Sequence, residues 1–395
     1  MARFLNDWLT GYLAYTYNTE PADQFKLWTG VSVIASVLQR KCFILWDRDP
    51  IYPQLYIILI GPTSTRKTTA LNSGKAFLLD PTLSVHLSVD STSRASFIRD
   101  IKNSQEIYTT TEGSLQVHSS ITVLSKELTV FLGFRNTDLL GDLTDWYDSV
   151  DTVWIHKTIQ GNAQEIPSVW VNLLGATTPD LLRASLPQEA IGGGLTARML
   201  FIYAEKRGKK APSNLESEEE ITLRQLLSND LQIISSLGGQ FKISSECMDF
   251  YNSWYLEYDE EEACKDARFL GYFNRKPTTL RKLGMILSAS RNDSKIIELC
   301  DLQLGLNMLE RVESTMYWAL QGIGRNEIAD ITHKVMLEIA RLKDCSIAHL
   351  MWRFKDDLTK FELDKVFGSL ESMKFCYINP GTGSVKLNPK FDKGA

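Results

Sequence analysis

The chain has 395 residues, 44% hydrophobic and 23% charged, with a net charge of -5, which is globular material long enough for two or three domains. No apolar run approaches the roughly 20 residues of a membrane helix, and six scattered cysteines without a CxxC pair exclude such a zinc module and fit reduced thiols in a cytoplasm. The acidic balance is uneven, because the segment from Ile331 onward carries eleven basic and eight acidic residues, net +3 against -8 for the remainder, so whole-chain charge does not exclude nucleic acid.

In chain order, residues 1–50 read as a helical segment. Phe4, Leu5, Trp8, Leu9 and Tyr12 recur at helical spacing, and a second apolar stretch runs from Phe25 to Leu38 after Pro21. Asp7 and the lack of a small-residue cleavage site argue against a signal peptide. From Tyr52 the pattern changes to LYIILIG, a continuous apolar run of the kind buried on both faces of a sheet. Leu83–Val89, Ile121–Leu124, Val169–Leu174 and Met199–Tyr203 are further strand candidates. Helical stretches separate most of them, so residues 51–210 are expected to form an α/β core with a largely parallel sheet. Residues 211–330 read as a helical lid or bundle, and 331–395 as a separate unit. The runs KRGKK, ESEEE and EYDEEE read as solvated surface.

The segment GPTSTRKTT, Gly61 to Thr69, follows the buried strand and leads into a helical stretch. That is the context of a phosphate loop, in which backbone N–H groups and the helix dipole favour an anion. Gly61, Pro62, Thr63, Ser64, Thr65, Arg66, Lys67, Thr68 and Thr69 would line ATP. Lys67 would neutralise the outer phosphates, and the Thr68 hydroxyl would hold Mg²⁺. The pattern is G-x-x-x-x-R-K-T, with Arg66 in place of the usual second glycine. Glycine tolerates positive φ there, so arginine must either find an allowed backbone or bear strain.

Three further motifs follow in order: SSITVLSKELTVFL, VNLLGATTPDLL and GGGLTARMLFIY. With the loop, they make the chain resemble AAA+-type P-loop ATPases, most of all the helicase module of phage- and plasmid-encoded primase–helicase proteins. The likeness covers roughly residues 50–205. It implies that Glu127 polarises the attacking water, that Thr178 is the sensor-1 residue, and that Arg198 is an arginine finger for a neighbouring subunit. Lys126 stands where the resemblance calls for an aspartate, leaving Ser125 to hold a metal-bound water. A sensor-2 arginine is expected from the lid, where Arg275 is preferred slightly over Arg281.

Nucleic acid has two candidate contacts. Val153–Thr158 with the turn signal Gly161-Asn162 reads as a hairpin. In rings of this type such a hairpin enters the channel, where His156 and Lys157 would follow single-stranded DNA. The last 65 residues read as three helices and a hairpin, the pattern of a winged helix, with Lys360, Lys365 and Lys374 on the third helix. Glu362, Asp364 and Glu371 on that helix leave protein contact as an alternative to DNA contact.

The combined expectation is an ATP- and Mg²⁺-dependent ring, a hexamer, acting as a DNA helicase or translocase in the replication of a phage or mobile element. It would work in the host cytoplasm, with any primase on a separate chain. A nucleotide-switched DNA-binding adaptor or loader without unwinding is the rival. An ATPase of an immune or regulatory complex is the third possibility.

Overall fold

The computed structural model of the chain describes residues 2–46, 48–88, 93–109, 113–133, 136–149, 152–156, 163–186, 193–211, 215–320, 327–355, 358–379 and 381–391, with backbone alone at 327–331 and 333. Two compact units divide at Gln321–Gly322. The expected divisions at residues 50 and 210 mark no separate bodies within the first unit. The helix expected from Ile331 already starts at Glu327, so the break falls ahead of the expected boundary.

The first unit is mixed α/β. Its main sheet has five strands in the order Gln105–Thr109, Leu115–Ser125, Val169–Thr177, Tyr56–Ile60, Met199–Tyr203. The outermost pair, Gln105–Thr109 with Leu115–Ser125, is antiparallel and every other pairing is parallel. YIILI at the heart of the sheet is buried at all five positions, because helices cover both faces and leave no side for polar residues. The four parallel strands therefore deliver their carboxyl ends to one edge. The expected strand at Leu83–Val89 is not one. Pro81–Leu83 is a 3₁₀ turn, Ser84 is left-handed, and the described pairing is a single bridge from Leu87 to Thr122.

The helix Asp23–Leu38 is tied to the sheet through Asn172, which is fully buried on the central strand. Its amide donates to Ser32 and Ser36, and its oxygen accepts from the Leu55 N–H. Each polar atom of its side chain is therefore paired, which is what makes a buried amide tolerable.

A second sheet contradicts two expectations at once. Cys42–Trp46, Asp49–Ile51, Gly239–Ile243 and Ile296–Ile297 form a four-stranded sheet. Neither the first 50 residues nor the 211–330 stretch is therefore purely helical. The two-residue strand Ile296–Ile297 is too short to show a period of two; GQFKI does alternate, with Gly239 and Phe241 buried and Gln240 and Lys242 exposed, and CFILW stands just three residues after the apolar helix, past Gln39, Arg40 and Lys41.

The helix Leu270–Arg291 continues through Pro277. Proline has no N–H to give the carbonyl four residues back, and the hydroxyl of Tyr258 donates to that carbonyl, Phe273 O, at 3.1 Å. Tyr258→Phe is expected to lower unfolding free energy by about 1 kcal/mol, read as a lower urea midpoint at unchanged slope. An unchanged midpoint would show that water serves the carbonyl equally well.

The second unit contains the helices Glu327–Leu342, Ile347–Arg353 and Lys360–Ser372. An antiparallel sheet in the order Asp344–Ser346, Ser384–Leu387, Cys376–Asn379 completes it. Val335, Ile339, Leu350, Val366, Leu370 and Val385 form its own core. Ser346 caps the second helix, as the sequence suggests, and Thr359 with Glu362 forms a capping box on the third. Among the described residues no helix is long and apolar enough to cross a membrane.

Candidate functional site

The loop leaves the strand Tyr56–Ile60 at Gly61 and enters the twelve-residue helix Lys67–Leu78. Gly61 is required by space. A Cβ there would collide with the backbone carbonyl of Ala204 at the end of the neighbouring strand. Gly61→Ala is expected to lower stability by about 2–3 kcal/mol through overpacking, measured as a fall in Tm. An unshifted Tm would mean that the two strand ends separate freely.

Arg66 sits at φ 62°, ψ 30°, the left-handed conformation that glycine adopts without penalty. The arginine bears the strain that its position forecasts. Its side chain does not turn to the loop but pairs with Glu20 at 2.6 Å, and Arg207 approaches the same carboxylate at 3.2 Å. These two cations hold the Glu20 carboxyl below its ordinary pKa against the opposing effect of desolvation.

Lys67 is 8% exposed, and its ammonium donates to Gly61 O at 2.6 Å, Pro62 O at 2.9 Å and Thr65 Oγ1 at 3.4 Å. Burial lowers its pKa, and the nearby Glu127 carboxylate pulls the other way. Thr63, Ser64, Thr68 and Thr69 are exposed, whereas Thr65 is buried and donates to Pro62 O.

Glu127 follows the strand Leu115–Ser125, and register explains where it points. Ser125 is level with Gly175, and Thr177, two residues on, is level with Ile60. Glu127 thus stands at the height of Thr177 and of Ile60, the residue before the loop, with one strand between acid and loop. Its Oε1 accepts from the Thr177 hydroxyl at 2.8 Å. Gly175 leaves room for Leu128, whose side chain a Cβ would strike, so the turn carrying the acid packs onto the central strand. Ser125 is buried and donates to the Glu127 carbonyl at 2.9 Å, which fixes the turn and commits its proton.

Thr178 is not the residue that meets the acid. It caps the helix Pro179–Ser185, accepting from Leu181 N, and Thr177 makes the contact instead. Proline at the first helical position marks the residue before it as the cap. That signal was present in TTPD.

Arg198 precedes the strand Met199–Tyr203 and donates to Asp148 Oδ2 at 2.5 Å and Gly194 O at 2.6 Å. Arg275 donates to the other oxygen of the same carboxylate at 3.0 Å. Burial alone would raise the Asp148 pKa, and the two arginines hold it below the ordinary carboxylate value. Lys282 lies beneath them, stacked 3.8 Å from the Tyr147 ring centroid, with burial pushing its pKa down to about 7.

This cluster is at the amino ends of the parallel strands. Arg198 is in line with Leu55, six strand residues from Gly61, a separation of about 20 Å. Arg275 therefore does not reach its own chain's phosphate loop, which corrects the sensor-2 expectation. Arg281 does not replace it, being engaged with the Tyr251 hydroxyl and stacked on Trp46 at 3.7 Å. Asp148, which holds Arg198 and Arg275, and Glu20, which holds Arg66 and Arg207, carry no local sequence signal.

No family model matches this chain, and no curated protein matches it.

Of the two nucleic-acid candidates, the hairpin precedes the strand Val169–Thr177 in the first unit, and the basic helix belongs to the second unit. Val153–His156 pairs antiparallel with Gln164–Pro167, and His156 stacks on Trp154 at 5.6 Å with planes 3° apart. Lys157 and the Gly161-Asn162 turn lie outside the described residues. In the second unit Lys360, Lys365 and Lys374 are exposed, and the Lys365 ammonium stands over the Phe361 ring at 4.4 Å.

Proposed function

We propose that this chain is a Mg²⁺-dependent ATPase of the AAA+ type that assembles into a ring and moves along DNA, as a helicase or translocase of a phage or mobile-element replication system. One observation carries the proposal. A lysine at the start of a helix and a carboxylate held by a threonine share the carboxyl edge of a parallel sheet, with a single strand between them. Ligands of open α/β sheets bind outside that edge.

The residues fit a metal-bound triphosphate. Among the described residues Lys67 rests on neutral oxygens, which phosphate oxygens can replace. The exposed Thr68 would hold Mg²⁺, with Ser125 available through a metal-bound water, and its charge would offset that developing on the transferred phosphoryl. Glu127 would accept the proton of the attacking water, its free oxygen aimed while Thr177 holds the other. Arg198 is too far from its own loop, so its use in catalysis requires a neighbour, hence the ring. In the second unit, three helices and a three-stranded sheet in the order first–third–second strand favour a winged helix.

The adaptor reading has its own support. Lys126 is exposed in the place of an acid, and Arg198 is clasped by Asp148 with 10% of its side chain exposed. ATPase rate with and without single-stranded DNA separates the two. A severalfold stimulation is expected for the translocase, and unstimulated hydrolysis would favour the adaptor. Absence of hydrolysis under both conditions would overturn the enzyme assignment.

A further inference from the structure

We infer that Glu20 is a positioning residue of the phosphate loop: it holds Arg66 in the left-handed conformation that the loop requires, and so sets how tightly phosphate binds. The inference rests on the phosphate-loop reading above and deepens it.

The first argument is the backbone. Arg66 stands at φ 62°, ψ 30° immediately before the helix Lys67–Leu78 and occupies its cap position without a side-chain hydrogen bond to the helix. Its carbonyl already accepts from Ala70 N at 3.2 Å, so the bend at this residue decides how the first helical turn meets the loop. A residue with a Cβ is disfavoured in that conformation and keeps it only where its surroundings impose it. Among the described residues the guanidinium is held by Glu20, with Nε donating to Oε2 at 2.6 Å.

The second argument is that Glu20 is itself fixed. Its side chain is 17% exposed, and its other oxygen accepts from Arg207 at 3.2 Å. Its carbonyl accepts from Gly208 N at 3.0 Å. At Gly208 a Cβ would meet the Pro21 carbonyl oxygen at 2.7 Å, so the two segments lie backbone against backbone. Arg207 and Gly208 follow the strand Met199–Tyr203, which pairs with the strand that launches the loop. Neighbouring strands thus carry the loop and the clamp, and Glu20 joins them.

The third argument is the direction of the effect. A glycine before Lys67 would need no clamp, whereas an arginine does. Without the carboxylate, residue 66 relaxes out of the left-handed region. Phosphate must then restore the loop before binding, and apparent affinity falls by the fraction of loops still in the right shape. The effect is moderate, because the Arg66 side chain is half exposed and solvent screens the pair.

Calorimetric titration of the full chain with pyrophosphate and ADP tests this. Glu20→Ala is expected to weaken both ligands roughly three- to tenfold, and Glu20→Gln less, since its amide oxygen still accepts from Nε. Arg66→Gly should bind both ligands at least as tightly as the native chain. Glu20→Ala added to Arg66→Gly should then cost nothing, because glycine takes the conformation unaided. An equal loss from Glu20→Ala with either residue at position 66 would overturn the inference, by giving Glu20 a structural role unrelated to the bend. Weaker binding by Arg66→Gly alone would also overturn it, by making the guanidinium a phosphate ligand. If Lys67→Ala abolishes binding and Glu20→Ala leaves it unchanged, the clamp alone fails. Pyrophosphate affinity unchanged by Lys67→Ala would overturn loop and clamp together.

Discussion

Lys67→Ala is expected to reduce ATP turnover at least a hundredfold while the protein stays folded. The ammonium is the one cation among the described residues placed on the loop carbonyls, and Arg66, its neighbour, is turned away to Glu20. Nothing described nearby is positioned to take over its charge. A single preorganised donor at a developing charge is typically worth about 10²–10³ in rate. The structural loss is smaller, since the carbonyls it leaves border an open loop and each neutral hydrogen bond contributes about 1 kcal/mol. Steady-state ATPase and a melting curve on the same preparation decide the matter. Native turnover in a well-folded variant would remove the nucleotide site from this loop.

Arg198→Ala is expected to cost a comparable or larger factor, about 10³–10⁵ by analogy with arginines supplied in trans to phosphoryl transfer. The loss should be recoverable by mixing. Arg198→Ala protein keeps an intact loop, and Lys67→Ala protein keeps an intact arginine. Interfaces that join the two intact halves should regain activity once subunit exchange has been shown. The separation of about 20 Å between Arg198 and Gly61, set by strand rise, is what forbids the same arginine from serving its own loop. Asp148 adds a condition. The carboxylate holds Arg198 and Arg275 together, so a neighbour's phosphates must compete with it. Exchange without recovery would refute the trans role, and full activity of Arg198→Ala alone would favour the adaptor.

Legibility followed the length and environment of each element. The strand YIILI, the loop after it and MLFIY were readable because burial on both faces leaves an uninterrupted apolar signature. The acid at Glu127 was readable from the strand before it. Pro179 marks Thr178 locally as a helix cap, but that Thr177 faces the acid depends on strand register, which is not written locally. Arg275 was misassigned for a related reason, since a helix of 22 residues presents cations in every direction. Which one meets a phosphate depends on how the helix is laid against the sheet. Asp148 and Glu20 were invisible, being ordinary acids until the fold brings arginines to them.

The small four-stranded sheet has a kinetic consequence. Cys42 pairs with Gly239, and the strand beginning at Gly239 pairs in turn with Ile296–Ile297. The strand at Cys42 therefore waits for its partner until about 240 residues have been synthesised, and the sheet is complete only at Ile297. Closing so long a loop is entropically slow, and contacts of this sequence separation delay folding more than they weaken the folded state. The sheet that carries the Gly61–Thr69 loop closes within residues 56–203, yet the helix Asp23–Leu38 that covers it leads into the waiting strand at Cys42. During synthesis the half that carries the Gly61–Thr69 loop thus emerges well before its frame can close. A fragment cut at residue 210 would retain the loop and lose the strand that anchors its amino-terminal cover.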